Sequence, residues 1–129
     1  MNRPPRSIDV PGASHKAPIP AAARVANVLC TSAVSGKDPA GGALPEEAAA
    51  QARNAFANLR AVLDAGGAAL ADVVKLSVTV NDESVREAVN EQWLACFPDP
   101  RDRPARHITV QALQHGMQLQ LEALAVIGG

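Results

Sequence analysis

The chain has 129 residues, carries a formal net charge of −1 and is 47% hydrophobic, yet its aromatic residues are only Trp93 and two phenylalanines. This length suits one domain, residues 1–129, with a core built from aliphatic side chains. The balanced charge and the lack of an aromatic stacking surface argue against a nucleic-acid partner. No apolar run approaches the ~20 residues of a membrane span, which argues against a membrane partner. A cytoplasmic protein is expected.

The N-terminal third predicts short strands separated by turns. Residues 1–21 are rich in proline, alanine and serine, and we expect residues 1–16 to be a partly ordered segment with a strand candidate at residues 7–10. Residues 22–32 predict two strands that meet at Ala26 and Asn27, because asparagine tolerates the left-handed backbone of a tight turn.

Residues 37–44 predict a loop, and residues 45–65 predict the first helix. Pro45 suits the first helical position, and Glu46 and Glu47 complement the positive end of the helix dipole. Glycines at 66 and 67 predict the end of the helix, since glycine adopts the left-handed cap at least cost. The apolar residues at helical spacing are Ala52, Ala55, Phe56, Leu59, Val62 and Leu63.

Residues 73–80 alternate in polarity and predict a strand. A second helix follows, because residues 84–87 (Ser-Val-Arg-Glu) match a capping box and prolines at 98 and 100 stop the pattern. The residues expected on one face of the strand are Val74, Leu76, Val78 and Val80. The residues expected in the apolar stripe of the helix are Val85, Val89, Trp93 and Cys96.

Two strands end the chain, at residues 106–112 and 117–127, and the short link at 113–116 predicts a hairpin between them. The order β-β-β-α-β-α-β-β predicts an α+β sandwich with two helices on one face of a mixed, mainly antiparallel sheet. Residues 119–127 are apolar at nearly every position, so both faces of the last strand should be buried. Since no helix is left for the second face, we expect a homo-oligomer.

Arg106 and Glu122 are the residues in these strands that point to chemistry. A carboxylate among Leu, Ala and Val is costly unless it is paired or neutralised, so Glu122 is expected to be partly buried and to act as an acid, a base or a water-orienting group. Arginine offers a planar fork that matches a carboxylate. The residues alone leave two alternatives open: Arg106 as a surface arginine in a charged run, and Glu122 on a solvated face.

Several short segments, each different, stand out in order along the chain. They are residues 27–32, 44–45, 50–55, 58–59 and 72–75 with Val78, then 89–90, 103–106 and 121–125. Together they resemble the RidA family, the YjgF-type reactive-intermediate deaminases that are also called L-PSP endoribonucleases. The resemblance runs from about residue 17 to residue 126, nearly the whole chain.

The resemblance implies a chorismate-mutase-like fold and a homotrimer whose sheets line a central barrel, with a cleft at each subunit interface. In the deaminase branch these clefts hydrolyse 2-imino acids to 2-keto acids and ammonia, and no cofactor or metal is expected. By resemblance, Arg106 grips the carboxylate of a small substrate, Glu122 positions the water and Asn90 lies near the cleft. The further positions taken as substrate-binding are Ala33, Ile19, Ile108 and His15.

The chain departs from the deaminase branch at three places, one of which is His107, where the branch often has a serine after the arginine. A tyrosine contributes to the site in that branch, whereas this chain has no tyrosine and Ile19 lies in the corresponding segment. Ala33 replaces a glycine in the segment that offers a backbone donor to the substrate. A histidine could replace the lost phenol as a proton donor, since imidazole titrates near neutral pH, and His15 is a better candidate than His107.

Three functions therefore compete. The leading prediction is a 2-imino acid or enamine hydrolase that releases ammonia and a 2-keto acid. The alternative is a non-catalytic trimeric protein that binds small carboxylates, which the lost tyrosine and the alanine at 33 favour. The endoribonuclease activity in the older family name has little physical support, because the chain shows neither a basic stripe nor an aromatic platform.

Overall fold

The structure is a computed structural model that describes residues 4–11 and 17–128. Its strands are β1 (Ser7–Ile8), β2 (Ala22–Val25), β3 (Val28–Thr31), β4 (Val34–Ser35), β5 (Val73–Val80), β6 (Ala105–Val110) and β7 (Leu119–Val126). Its helices are α1 (Ala48–Ala65) and α2 (Arg86–Cys96), with short 3-10 turns at Leu70–Asp72 and Glu83–Val85. The expected N-terminal segment 1–16 lies partly outside the described residues, and His15 lies wholly outside them.

The strands form one seven-stranded sheet in the order β1-β2-β3-β7-β5-β6, with β4 also pairing to β7. The pairing of β5 with β6 is parallel and the others are antiparallel. The two helices contact each other, and α1 packs against β7 and β4. The predicted α+β fold, with two helices and a mixed, mainly antiparallel sheet, is confirmed.

The predicted hairpin between the last two strands is wrong. Strand β6 pairs in parallel with β5, and β7 pairs antiparallel with β5 on its other side. The run β5–α2–β6 is a crossover unit, which joins parallel neighbours through a helix. The link at residues 111–118 therefore passes over the end of β5 and delivers the chain to its far side.

Both helices begin later than the sequence predicts. Helix α1 starts at Ala48, and the backbone of Glu47 before it is extended. Before α2, the carboxylate of Asp82 accepts a hydrogen bond from the Ser84 amide at 2.9 Å and caps a 3-10 turn, so the predicted capping box at residues 84–87 does not form. The predicted end of α1 is confirmed, with φ of +81° at Gly67.

Two local features of the strands also differ from prediction. The pairing of β5 with β7 shifts register between Val73 and Lys75, so Val73 is buried and Val74 is 49% exposed. A bulge of this kind interrupts the alternation of side chains, so Val74 lies on the face opposite to the one predicted. In the β2–β3 turn, Ala26 rather than Asn27 adopts the left-handed backbone, with φ of +53°.

The two faces of the sheet differ in their cover. On β7, alternate residues are buried beneath the helices, namely Leu119, Leu121, Ala123 and Ala125. They meet the buried side of α1, formed by Gln51, Ala52, Ala55, Phe56, Leu59, Val62 and Leu63. The face without helices, called the open face below, carries the exposed Val28 and Val126 together with the half-buried Leu124. The predicted burial of β7 on both faces is thus not met within one chain.

Among the described residues, no helix combines the length and the apolar character that crossing a membrane requires.

Candidate active site

Arg106 lies on the edge strand β6, on the face that the helices cover. In the sheet it is paired with the buried Leu76. Its guanidinium carbon lies 4.8 Å from the centroid of the Trp93 ring, and Trp93 packs against Phe97 with ring centroids 4.9 Å apart. A cation held over an indole face is stabilised by the ring quadrupole, so the α2 aromatic pair fixes the position of this guanidinium.

The guanidinium of Arg106 is incompletely satisfied. Its Nη1 is the one buried side-chain nitrogen or oxygen that lacks a hydrogen-bond partner within the described part of the chain. Burial lowers the pKa of Arg106, and repulsion from the Arg86 guanidinium adds to the effect. An unpaired buried donor costs about 1–3 kcal/mol, more when it is charged. An anion that accepts a hydrogen bond from Nη1 would remove that cost.

Three side chains of α2 share the flank of the helix that Arg106 contacts. Arg86, Asn90 and Trp93 are four and then three residues apart, so they lie above one another on the helix surface. Asn90 is half-buried, and its side-chain amide makes no hydrogen bond to any residue the structure describes. Among the described residues, its amide is therefore an unpaired donor and acceptor on the flank that Arg106 contacts.

Arg86 is a residue that the sequence reasoning missed. Its Nε and Nη2 donate to the Glu83 carboxylate at 3.1 and 3.2 Å, and the pair is exposed. The signal was available in the sequence, because Arg86 is one helical turn before Asn90. The sequence prediction placed residues 84–87 in a capping box and gave Arg86 no role in the site.

Glu122 lies on the open face, near the middle of β7 and directly opposite Ser77. Its side chain is exposed, so the expectation of partial burial is wrong for the single chain. The physical reason is alternation: the even-numbered residues of β7 face away from the helices. Glu122 lines a shallow pocket of about 250 Å³ together with Cys30, Thr31, Lys75, Ser77, Ala123 and Leu124.

One chain does not bring Arg106 and Glu122 together. Leu76 pairs with Arg106 on one side and with Ala123 on the other, so those three side chains share the helix-covered face. Glu122 precedes Ala123 and therefore points the opposite way. His107 follows Arg106 and likewise lies on the open face, where Ser77 separates it from Glu122.

The remaining predicted residues occupy different places. Ala33 is half-buried between β3 and β4, and Ile19 is 48% exposed in the segment before β2. Near them, the Ser32 hydroxyl donates to the Pro20 carbonyl at 2.8 Å and joins the two segments. Ile108 shares the face of Arg106 and packs against the core. No cluster of three or more potential metal-ligating side chains occurs within residues 4–11 and 17–128.

Comparison with known proteins identifies the family. Residues 14–127 match the family described as endoribonuclease L-PSP. A relative from Escherichia coli (strain K12), named 2-iminobutanoate/2-iminopropanoate deaminase, is 33% identical over 102 residues, which cover 78% of this chain and 80% of the relative. The chain belongs to the RidA family. The sequence resemblance is thereby confirmed.

Solved structures of the RidA family share this fold. The crystal structure of RidA from the Antarctic bacterium Psychrobacter sp. matches with a TM-score of 0.86 and 32% identity, covering 94% of this chain and 98% of that chain. The structure of E. coli TdcF with bound serine matches with a TM-score of 0.86 and 25% identity, covering 95% of this chain and 98% of that chain. The topology described above is thus that of the RidA family.

Proposed function

We propose that this protein hydrolyses 2-imino acids, or their enamine tautomers, to 2-keto acids and ammonia. The observation that carries the proposal is the buried, unpartnered Nη1 of Arg106 on a flank of α2. The E. coli relative named 2-iminobutanoate/2-iminopropanoate deaminase supports the reaction class. The bound serine in the crystal structure of E. coli TdcF supports recognition of a small molecule that carries a carboxylate.

Arg106 is assigned the role of anchor for the substrate carboxylate. A carboxylate oxygen would accept the hydrogen bond that Nη1 lacks, and the planar fork allows a second parallel hydrogen bond. Trp93 holds the guanidinium in place before substrate arrives, so less freedom is lost on binding. Asn90 is assigned to the same ligand, because its free amide lies on the same flank.

Glu122 is assigned the role of proton carrier for the attacking water. The water oxygen adds to the imine carbon while the carboxylate accepts a water proton, which then passes to the nitrogen. The carboxylate then carries the remaining hydroxyl proton to the nitrogen as the carbon–nitrogen bond breaks, so a keto acid and ammonia result. The backbone near Ala33 is assigned as a further donor to the substrate, and Ile19 and Ile108 as apolar cleft positions.

A second copy of the chain is needed to complete such a site. Arg106 and Glu122 point to opposite faces of the sheet, and the open face exposes Val28 and Val126. A homotrimer with a cleft at each subunit interface would cover this face and bring Arg106 of one copy toward Glu122 of another. His15 and His107 are the candidates to act as proton donor in place of the missing tyrosine.

The direct test is ammonia or keto-acid release from 2-iminobutanoate formed in situ by an amino-acid oxidase. Wild type should accelerate release above the spontaneous rate, and Arg106→Ala should lose most of that acceleration. Arg101→Ala is the matched control, since Arg101 is an exposed arginine five residues earlier in the chain. Equal rates in wild type and Arg106→Ala would refute the anchor role.

Mixing two inactive variants tests whether the site is shared between copies. Arg106→Ala and Glu122→Gln should each be inactive alone. Co-expressed, they should regain activity, because about a quarter of the interfaces in randomly assembled rings would combine an intact Arg106 with an intact Glu122 from the next copy. Mixed oligomers with no activity, verified by differential tags, would contradict a shared cleft.

The second candidate function is a non-catalytic protein that binds small carboxylates. The complete absence of tyrosine favours it, because the deaminase branch uses a tyrosine in its site. Calorimetric binding of a 2-keto acid, lost in Arg106→Ala and accompanied by no hydrolysis of any imine tested, would establish this function instead.

A further inference from the structure

The flank of α2 that contacts Arg106 presents two guanidinium groups. Arg86 and Asn90 are one helical turn apart, about 6 Å along the axis, and Trp93 lies one further turn along. Trp93 carries Arg106 on its ring. The two arginines therefore flank Asn90 along one side of the helix.

This flank carries more free hydrogen-bond donors than one carboxylate can fill. Glu83 bonds Nε and Nη2 of Arg86 and leaves the Nη1 of that guanidinium free among the described residues, while Arg106 has no carboxylate within 4.0 Å in that part of the chain. Repulsion from Arg86 contributes to the lowered pKa of Arg106, so the two cations sense each other. A ligand with one carboxylate would satisfy Arg106 and leave the Nη1 of Arg86 without a partner.

We propose that Arg86 is a specificity residue that binds a second carboxylate, so that the preferred substrate is the imine of a dicarboxylic amino acid. The inference rests on the proposed function, because it assigns the α-carboxylate of the substrate to Arg106. The distal carboxylate reaches the free side of the Arg86 guanidinium. Asn90, between the two anchors, bonds the middle of the ligand.

Glu83 tunes this second anchor. Its pair with Arg86 is exposed, with 67% of the Glu83 side chain accessible, and exposed ion pairs are weak. An incoming carboxylate can therefore share the guanidinium with Glu83 or replace it. Removing the charge of Glu83 should strengthen the second anchor, whereas removing Arg86 should abolish it.

The test compares 2-iminosuccinate, the imine of aspartate, with 2-iminobutanoate, both formed in situ. The measured quantity is the ratio of kcat/KM for the diacid imine to that for the monoacid imine. Arg86→Met should lower this ratio about tenfold, the size expected for a lost charge-assisted hydrogen bond. Glu83→Gln should raise it about threefold, and Arg101→Met, on an exposed arginine away from α2, should leave it as in wild type.

A binding measurement separates this inference from the proposed reaction. Succinate and butyrate have the same carbon chain and differ by one carboxylate, and calorimetry gives their affinities without catalysis. We expect succinate to bind about tenfold more tightly than butyrate, with the difference lost in Arg86→Met and restored in part by Arg86→Lys.

The outcomes are distinct. If no imine is hydrolysed but succinate binding depends on Arg86, the hydrolase proposal fails and the diacid site stands. The diacid inference is overturned, and the hydrolase proposal stands, if 2-iminobutanoate is hydrolysed but succinate and butyrate bind alike. The same conclusion follows if Arg86→Met changes neither the kcat/KM ratio of the two imines nor the affinity ratio of succinate to butyrate.

Discussion

Replacing Gln51 with leucine probes how one buried amide holds three parts of the fold together. Gln51 has no solvent exposure and is the one buried polar or charged residue within the described part of the chain. Its Nε2 donates to the carbonyls of Pro45 at 2.8 Å and Gly116 at 3.1 Å, and its Oε1 accepts from the Gln118 amide at 2.9 Å. It thus joins the approach to α1, the β6–β7 link and the start of β7.

The expected cost follows from these three hydrogen bonds. Each neutral hydrogen bond contributes about 1 kcal/mol net, and a buried group left without a partner costs about 1–3 kcal/mol. Leucine is similar in volume and gains some apolar burial, which offsets part of the loss. We expect Gln51→Leu to lower the free energy of unfolding by about 2–4 kcal/mol, which corresponds to roughly 10 °C in Tm for a domain of this size.

Thermal and urea unfolding measure this cost, and Gln92→Leu is the matched control. Gln92 is a half-buried glutamine on α2 with no side-chain hydrogen bond to another described residue. Hydrogen exchange gives a local readout, because the Gln118 amide loses its acceptor in Gln51→Leu and should exchange faster. If Gln51→Leu and Gln92→Leu melt within about 2 °C of each other, the three hydrogen bonds of Gln51 do not stabilise the fold as argued.

Three further predictions concern packing, the anchor and pH. Gly36→Ala should destabilise by about 3 kcal/mol or prevent folding, since an added Cβ would lie 2.7 Å from the Gln51 Cα, whereas Gly41→Ala meets nothing within 4 Å and should melt like wild type. Trp93→Leu should weaken carboxylate binding about threefold to tenfold by removing the ring beneath the Arg106 guanidinium, and Trp93→Phe should retain part of it; equal affinities by calorimetry would contradict this. The hydrogen bond from Ser84 lowers the pKa of Asp82 from its ordinary 3.8. The contribution of the ionised carboxylate to stability is therefore fully present above pH 3.8, and it is lost as the pH falls through the lower pKa of the folded state. The Tm difference between wild type and Asp82→Ala should therefore shrink in acid, and a constant difference would refute the linkage.

Local patterns predicted the elements well because their causes are local. The alternation of residues 73–80 predicted β5 with the bounds that the structure has. The glycines after Ala65 predicted where α1 ends. The starts of both helices were misplaced because side-chain contacts with the preceding backbone are hard to read from a local pattern. Before α1, Gln51 bonds the Pro45 carbonyl, and before α2, Asp82 caps the 3-10 turn.

Strand partners could not be predicted from short links. The residues between β6 and β7 looked like a hairpin, yet β5 lies between these strands. Pairing depends on which long-range ladder buries the most apolar surface, and β5 lies between β7 and β6 with Leu76, Val78 and Val80 buried. For the same reason the burial of Glu122 was predicted wrongly, because its face of the sheet is not covered by any element of its own chain.

The division of the site between two faces has a consequence for activity. The strand pairing fixes this division, because Leu76 is paired with both Arg106 and Ala123, and Glu122 is the neighbour of Ala123. A side chain cannot change face without a one-residue slip of the whole strand. On the proposed mechanism the two catalytic groups can therefore meet only between copies. Activity per chain should then fall on dilution below the concentration at which the oligomer dissociates, and Glu122→Gln should lose turnover while Arg106, on the other face, still binds the carboxylate. A variant that is monomeric by light scattering yet fully active would show that Glu122 is not part of the site.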